Sequence, residues 1–161
     1  MEQHFLRNRT KIKALLGAAA VRPDERVVEL GAGIGSVARH IPPCRSLTLV
    51  ELDPALARDL AAAFPYGQVI QADAVVTLPA LTFDVLLTNL PHYLTPAALE
   101  ILAAMPFRVA VLAVRADVEL AVPPVLRATE VVPLHATDFT PTQPFASRVI
   151  RVVRSPATGN G

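Results

Sequence analysis

The sequence predicts an α/β fold built on a mostly parallel sheet. Short apolar segments of strand length alternate with helix-like segments along most of the chain, which is the pattern of such folds. A glycine-rich turn, residues 31–36, directly follows the first apolar segment, as it does where α/β sheets bind nucleotides. The last two strand-like segments follow each other without a helix between them. We therefore expect a Rossmann-like, seven-stranded sheet with one antiparallel strand near the C-terminus.

Seven segments are predicted strands, because they are short, apolar and rich in β-branched residues. They are residues 26–30, 47–51, 69–71, 83–88, 107–115, 130–137 and 147–153. The last two form a closing antiparallel pair, joined by the proline-rich residues 139–145. A loop, residues 89–93, follows the fourth strand.

Four segments, one before the first strand and three between strands, are predicted helices. They are residues 9–20, 36–41, 54–64 and 96–104. Pro42 and Pro43 stop the second helix, while Asp53 is the expected N-cap of the third, with Pro54 at its first position. We expect residues 1–154 to form one domain and residues 155–161 to be a disordered tail.

The composition indicates a globular domain in a reducing compartment. Of the 161 residues, 52% are hydrophobic and 18% are charged, which suits a chain with a sizeable core. No apolar run approaches the ~18 to 20 residues that a membrane helix needs, and the polar, basic start does not resemble a signal peptide. Cys44 is the single cysteine and cannot form an internal disulfide, so we expect a cytoplasmic protein.

The net charge of +1 does not indicate nucleic-acid binding through bulk electrostatics. Basic residues nevertheless cluster near both ends of the chain. The clusters are Arg7, Arg9, Lys11 and Lys13 at the start, and Arg148, Arg151 and Arg154 near the end. Either cluster could contact phosphate, or the two could form a solvated helix face and an edge strand. The histidines His4, His40 and His135 are too scattered to predict a metal site.

The glycine-rich turn favours a nucleoside site over a dinucleotide site. Gly31, Gly33 and Gly35 let the backbone turn tightly and let a ligand approach without clashes against Cβ atoms. The dinucleotide fingerprint would need its third glycine at position 36, where this chain has Ser36. The spacing is therefore typical of the cofactor loop of methyltransferases.

Acidic residues stand in the first predicted strand, at the end of the second and just after the third. Glu51 ends the second strand, 20 residues after Gly31, where a carboxylate can accept hydrogen bonds from both ribose hydroxyls. Asp73 follows the third strand and could meet the exocyclic amine of an adenine, or could be a turn residue. Glu29 in the first strand is either structural or contacts the amino group of a ligand. Together with the glycines, these acids indicate a nucleoside site at one edge of the sheet.

These features lie in stretches that resemble the rRNA adenine N6-dimethyltransferase family, which includes the small-subunit rRNA dimethylases and the macrolide-resistance methylases. The stretches are residues 3–6, 28–36, 50–54, 72–74, 89–93, 139–144 and 147–151. The resemblance runs to about Val153. It implies a class I methyltransferase fold, S-adenosylmethionine as cofactor, and methylation of adenine N6 in RNA.

The resemblance also implies a role for each matching residue. The implied cofactor contacts are Gln3, His4, Leu6, Glu29, Gly31, Gly33, Gly35, Glu51, Leu52, Asp73, Ala74 and Asn89. The implied catalytic residues are Asn89, Leu90, Pro91 and His92. The implied substrate contacts are His92, Tyr93 and Phe139.

The loop of residues 89–93 carries the expected chemistry. The lone pair of an exocyclic adenine nitrogen is delocalised into the ring, so this nitrogen is a poor nucleophile. Acceptors aimed at its N–H bonds favour the pyramidal form, and the Asn89 side-chain oxygen with the Leu90 carbonyl would supply them. Pro91 biases Leu90 toward an extended backbone, and an aromatic residue at the fourth loop position can stack on a flipped base.

The chain departs from the family at two points. His92 stands where the family has tyrosine or phenylalanine, and Phe139 could be a second stacking residue or part of the core. The sequence ends where the family's RNA-gripping helical domain would begin, so we expect RNA to be held weakly and a protein partner could replace that domain.

Two other functions therefore stay open. The same fold could methylate a protein side-chain amide or a small metabolite, or the chain could be a non-catalytic RNA-binding or assembly factor. The sequence predicts no oligomeric state.

Overall fold

A seven-stranded sheet organises the chain in the computed structural model, which describes residues 3–156. The strands are β1 (Phe5–Leu6), β2 (Arg26–Leu30), β3 (Ser46–Glu51), β4 (Gln68–Gln71), β5 (Val85–Thr88), β6 (Val109–Arg115), β7 (Leu126–Leu134), β8 (Phe139–Thr140) and β9 (Ser147–Arg154). The helices are α1 (Arg9–Ala19), α2 (Pro54–Ala63), α3 (Ala74–Thr77) and α4 (Thr95–Ala103). The main sheet has the order β4-β3-β2-β5-β6-β9-β7, while β1 and β8 form a separate pair.

The strand directions confirm the expected architecture. The strands β4, β3, β2, β5 and β6 pair in parallel, whereas β9 is antiparallel to both of its neighbours, β6 and β7. In the described part of the chain, β9 is therefore the one strand of this sheet that runs against the others. This is the mostly parallel Rossmann-like sheet that the sequence predicts.

The strands bury alternate residues on the two faces of the sheet, as their period of two requires. The core on the face covered by α1 and α2 contains Val27, Leu49, Val85, Val111, Ile12, Leu15 and Leu60. The core on the face covered by α4 contains Val28, Val50, Leu86, Ala110, Leu99 and Leu102. Both faces are covered, which explains why the strands read as continuous apolar runs.

Arginines near the end of the chain bind the backbone at the C-termini of helices. Arg151 donates to the Ala18 carbonyl at 3.1 Å near the end of α1, and Arg154 donates to the Met105 carbonyl at 2.8 Å just after α4. Helix ends leave carbonyls unsatisfied, and a cation there also complements the helix dipole. This part of the second basic cluster therefore stabilises the fold, whereas Arg9 in the first cluster is exposed.

The N-terminal segment is fixed by residues far along the chain. Strand β1 pairs with β8, so that Leu6 lies opposite Phe139. The buried carboxylate of Asp138 accepts a 2.6 Å hydrogen bond from Asn8, which is itself the N-cap of α1. The backbone carbonyl of Asp138 also accepts from the Arg7 N–H at 2.8 Å. These contacts hold the N-terminal segment beside the carboxyl edge of the sheet.

The expected helix over residues 36–41 is wrong. The structure has only a short 3-10 turn, Ala38–His40, because the left-handed Gly35 and the prolines at 42 and 43 leave too few residues for an α-helix. The elements α3, β1 and β8 were not expected, because they are too short to show a periodic pattern. Strand β7 begins at Leu126, earlier than expected.

No helix between residues 3 and 156 is long and apolar enough to cross a membrane. The same residues contain no group of three or more His, Cys, Asp or Glu side chains that could hold a metal ion. Of the expected tail, Ser155 donates its N–H to the Val125 carbonyl at 2.8 Å. Residues 157–161 lie outside the described part of the chain.

Candidate active site

A cavity of about 610 Å³ lies at the carboxyl edge of the sheet. Ligands of open α/β sheets bind in this position, and the volume is in the range of small-molecule sites. Most of the expected cofactor contacts line it, namely Gln3, His4, Gly31, Gly33, Glu51, Leu52, Asp73, Ala74 and Asn89. The remaining expected catalytic and substrate residues that line it are Leu90, Pro91, His92 and Tyr93. The fold thus gathers residues from five separate segments around one space.

The glycine turn leaves no room for side chains on its cavity side. Gly33 has a φ of +57°, and a Cβ added to it would lie 2.7 Å from the Phe5 ring of β1. Gly31 has a φ of +69°, and a Cβ there would lie 3.0 Å from the Leu90 side chain. Only glycine adopts this backbone without strain. The turn therefore lets the N-terminal segment and the 89–93 loop approach closely.

Glu51 is tied to the glycine turn. Its carboxylate is buried and accepts hydrogen bonds from the Gly33 N–H at 2.8 Å and the Asp53 N–H at 3.0 Å. Each carboxylate oxygen keeps acceptor capacity beyond these bonds. The neighbouring Leu52 is 65% exposed and also lines the cavity, so an apolar surface lies beside a fixed acceptor.

Two aspartates cap helices near the cavity. Asp53 accepts from the Ala55 and Leu56 N–H groups and caps α2, which confirms the expected N-cap. Asp73 accepts from the Val75 and Val76 N–H groups and caps α3, and it also lines the cavity. Its capping bonds fix the Asp73 carboxylate in the cavity wall, so the turn role and a ligand role are compatible.

Glu29 lies beneath the glycine turn, buried in β2. Its Oε2 atom has no hydrogen-bond partner among residues 3–156. Burial, and secondarily the Glu51 carboxylate, raises the pKa of Glu29 from 4.5 to about 8. A carboxyl group in this environment is mainly protonated at neutral pH. A cationic or hydrogen-bonding ligand group nearby would offset that cost.

Short-range hydrogen bonds to the flanking residues fix the 89–93 loop. The Leu90 N–H donates to the Thr88 hydroxyl at 3.2 Å, and the Leu94 N–H donates to the Pro91 carbonyl at 2.9 Å. Asn89 and Leu90 are half-buried and line the cavity. The Leu90 backbone and the turn that follows it are therefore fixed at the cavity wall.

Four expected site residues do not line the cavity. Leu6 and Phe139 are buried in the core beside the β1–β8 pair. Gly35 faces α2, since a Cβ there would lie 2.8 Å from the Phe64 ring. Glu29 lies below the turn rather than in the wall. These residues support the site's walls instead of forming them.

The cavity also contains residues that the sequence analysis did not single out. Phe145, Arg115 and Gln143 line it, and the ring of Phe145 lies 5.4 Å from that of His92. Phe145 stands in the same proline-rich segment as Phe139, six residues later. One implied substrate contact, Phe139, was expected in this segment, but the sequence does not indicate which of its aromatic residues faces the cavity.

Comparison with known proteins places the chain in a family. The family model described as ribosomal RNA adenine dimethylase matches residues 1–109. The chain belongs to the ribosomal RNA adenine dimethylase family. This family membership agrees with the arrangement of the glycine turn, Glu51 and the Asn89 loop around one cavity.

Two similar proteins show what share of each chain the similarity covers. A probable dimethyladenosine transferase of Dictyostelium discoideum is 34% identical over 120 residues, which are 68% of this chain but 38% of that protein. The chain thus spans well under half of that relative's length. The structure of the 23S rRNA methyltransferase ErmE matches with a TM-score of 0.81, 22% identity, and coverage of 94% of this chain and 70% of that one.

A second structure has the same fold as this member of the dimethylase family. The dimethyladenosine transferase from Plasmodium falciparum matches with a TM-score of 0.83 and 18% identity, covering 94% of this chain and 63% of that one. At such identities the likeness establishes the fold of the chain. Because a fold does not determine function, the chemistry depends on the residues that line the cavity.

Proposed function

We propose that this chain is an S-adenosylmethionine-dependent methyltransferase that acts on the N6 amine of adenine in ribosomal RNA. The observation that carries the proposal is that the glycine turn, Glu51 and the Asn89–Leu90 acceptors line one cavity. Family membership supports it, since the matching model is that of the rRNA adenine dimethylases. A relative that is a probable dimethyladenosine transferase agrees with this proposed activity.

The cavity residues fit S-adenosylmethionine. Gly31 and Gly33 line the cavity without side chains, Glu51 offers carboxylate oxygens for the ribose, and Asp73 with Ala74 would meet the adenine. Glu29 does not line the cavity, so its buried, unpartnered oxygen favours the structural role over contact with the amino group of the methionine moiety. When bound, this cofactor supplies an electrophilic methyl group on its sulfonium.

The chain's own residues would then position the target nitrogen. The Asn89 side-chain oxygen and the Leu90 carbonyl accept hydrogen bonds from the adenine amine, which favours the pyramidal nitrogen whose lone pair is free to react. Thr88 fixes the Leu90 backbone by its 3.2 Å hydrogen bond, and Pro91 stiffens the turn that follows. Acceptors that are already in place need no reorganisation during the reaction.

RNA binding is proposed to be weak and to involve the first basic cluster. Arg7, Arg9 and Lys13 are exposed around the start of α1, next to the segment that lines the cavity. Cations in the first turn oppose the helix dipole, so a phosphate contact would compensate for their cost. A protein partner could add RNA contacts, and a cytoplasmic location agrees with Cys44 being a free thiol.

The test is a labelling experiment that separates the substrate classes. The protein is incubated with methyl-labelled S-adenosylmethionine and an extract from cells that lack it, and the extract is then separated into RNA, protein and small molecules. Label recovered as N6-methylated adenosine in rRNA is the expected result. Label found only in protein or small molecules would mean that the chain methylates a different nitrogen. Cofactor binding without any transfer would make the chain a non-catalytic factor.

A further inference from the structure

Three exposed cations lie on the face of the sheet that α1 and α2 cover. Lys13 is the fifth residue of α1, Arg58 is the fifth residue of α2, and Arg39 lies in the 3-10 turn Ala38–His40. Each side chain is exposed and has no hydrogen-bond or ion-pair partner among residues 3–156. We call Lys13, Arg39 and Arg58 the basic band. Because they bind no other part of the fold, these charges do not stabilise it as the arginines at the helix ends do.

The topology places the basic band at one height on this face. Helix α1 precedes β2 and α2 follows β3, so both helices begin at the carboxyl edge of the sheet, where the cavity lies. With a rise of about 1.5 Å per residue, Lys13 and Arg58 both lie about 6 Å from that edge. The Arg39 N–H donates to the Gly35 carbonyl at 3.1 Å, which keeps Arg39 within one turn of the glycine turn.

Arg39 stands between the other two cations. Helix α1 packs on β6, β7 and β9, whereas α2 packs on β3 and β4, so the two helices lie over opposite halves of the sheet. The 3-10 turn contacts α1, and a Cβ at Gly35, which precedes this turn, would lie 2.8 Å from the Phe64 ring at the end of α2. The three elements are therefore neighbours. At a typical spacing of ~10 Å between packed helices, the basic band is about 20 Å long.

The opposite face has no comparable row of cations in the described part of the chain. Helix α4, which covers it, has one charged residue, Glu100. Two arginines on that side are paired within the fold, since Arg148 lies 4.0 Å from Glu130 and Arg154 donates to a carbonyl at the end of α4. The elements of the basic band have one acid among them, Asp59. The net charge of +1 is therefore distributed unevenly between the two faces.

The spacing of the basic band fits a chain of anions. Cations ~10 Å apart cannot converge on one small anion, whereas different phosphates of one nucleic-acid strand can reach each of them. At about one Debye length apart, the cations also repel one another, and bound phosphates would remove this cost. An anionic membrane fits less well, because a membrane-bound helix buries a large apolar face in the lipid. No large exposed hydrophobic residue among residues 3–156 lies on α1, on the 3-10 turn or on α2.

From this arrangement we propose that the basic band holds the phosphate backbone of an RNA stem beside the cavity. The inference rests on the proposed function and adds a contact surface for its substrate. Lys13 also belongs to the first basic cluster, so the two groups form one continuous path from the start of α1 to α2. Contacts to phosphate position a nucleic acid without reading its sequence. The band orients the substrate, whereas the cavity residues determine which nitrogen is methylated.

The first experiment measures binding of a fluorescently labelled RNA hairpin by anisotropy over a range of salt concentrations. In Arg39→Gln with Arg58→Gln we expect about tenfold weaker binding at low salt, and a slope of log affinity against log salt that is smaller by about two. The control, Arg22→Gln with Arg45→Gln, removes the same charge from exposed residues at the amino edge of the sheet, before β2 and β3. It should keep the wild-type slope. Both double variants should bind S-adenosylhomocysteine as the wild type does, which excludes misfolding.

A second experiment measures methyl transfer to deproteinised rRNA from cells that lack the enzyme. Arg39→Gln with Arg58→Gln should raise KM at an unchanged kcat, because the band lies outside the cavity lining. Weaker hairpin binding in that variant without any label in RNA would support the band and count against the proposed function alone. Equal salt slopes in the two double variants, with rRNA methylated, would overturn the inference. Binding of the wild type to vesicles of anionic phospholipid but not to the hairpin would also overturn it.

Discussion

The Oε2 atom of Glu51 accepts a 2.8 Å hydrogen bond from the backbone N–H of Gly33. The acid at the end of β3 is thereby joined to the turn after β2, two strands that pair in parallel. The proposed ribose acceptor and the proposed cofactor turn therefore form one unit, and a change in either should affect the other.

Replacing Glu51 by glutamine should weaken both the fold and the cofactor site. The Gly33 and Asp53 N–H groups both donate to Glu51, so a side-chain amide would place a donor against a donor. We expect a loss of about 1 to 3 kcal/mol in the free energy of unfolding, from one unsatisfied buried group. S-adenosylhomocysteine affinity, measured by calorimetry, should fall tenfold or more. Glu119→Gln, at an exposed position, is the control, and equal affinities in the two variants would contradict the role of Glu51.

Gly33→Ala should displace the N-terminal segment. The added Cβ would lie 2.7 Å from the Phe5 ring, and the φ of +57° is strained for alanine. We expect a destabilisation of about 1 kcal/mol or more in urea unfolding, together with weaker S-adenosylhomocysteine binding. Gly17→Ala is a matched control, because nothing lies within 4 Å of its Cβ position in α1. That variant should be stabilised by about 0.5 to 1 kcal/mol, since alanine favours the helix.

Asn89→Ala tests the catalytic loop. The variant should leave S-adenosylhomocysteine binding largely intact but lower kcat by about 100-fold or more, because an acceptor for the adenine amine is removed. Asn89→Asp keeps an acceptor oxygen and should retain more activity than the alanine variant. Turnover by Asn89→Ala at the wild-type rate would contradict the proposed mechanism.

Glu29 should make stability depend on pH. Its pKa is raised to about 8 in the folded protein, so the folded state holds a proton that the unfolded state releases near pH 4.5. The stabilisation of the folded state by this proton is fully present below pH 4.5 and is lost as the pH rises toward 8. Relative to Glu29→Gln, the wild type should lose up to about 1.4 kcal/mol of unfolding free energy per pH unit in that window. Urea unfolding of both proteins from pH 5 to 9 checks this, and parallel curves would contradict it.

The first basic cluster should set the salt dependence of RNA binding. Replacing Arg7, Arg9 and Lys13 by glutamine should weaken binding to rRNA fragments and reduce the slope of log affinity against log salt by about one for each phosphate that is no longer bound. Arg154→Gln is the control. Its guanidinium donates to the Met105 carbonyl, so the substitution should lower stability and leave the salt slope unchanged. Equal slopes in all variants would show that the cluster does not contact phosphate.

The sequence predicts the sheet and most of the cavity because both depend on local patterns. Apolar strands alternate with helices, and Gly33, Glu51 and Asn89 each stand at the carboxyl end of a strand, where the topology brings them together. The aromatic side of the cavity depends instead on long-range contacts. Phe139 becomes part of the core because β8 pairs with β1, a pairing of two-residue strands that no periodic pattern reveals. Phe145 then takes the place at the cavity, fixed by the end of β6.

The position of β9 has a consequence for how the protein is made. This last strand lies between β6 and β7, although both of those precede it in the chain. During synthesis, β7 leaves the ribosome with no neighbour to pair with until residues 147–154 follow. A nascent chain that stops before residue 147 would therefore leave the β6 edge and the whole of β7 unpaired, and unpaired strand edges favour aggregation. Completion of the sheet, and of the cavity wall that leads into β9, therefore has to wait until residues 147–154 have been made.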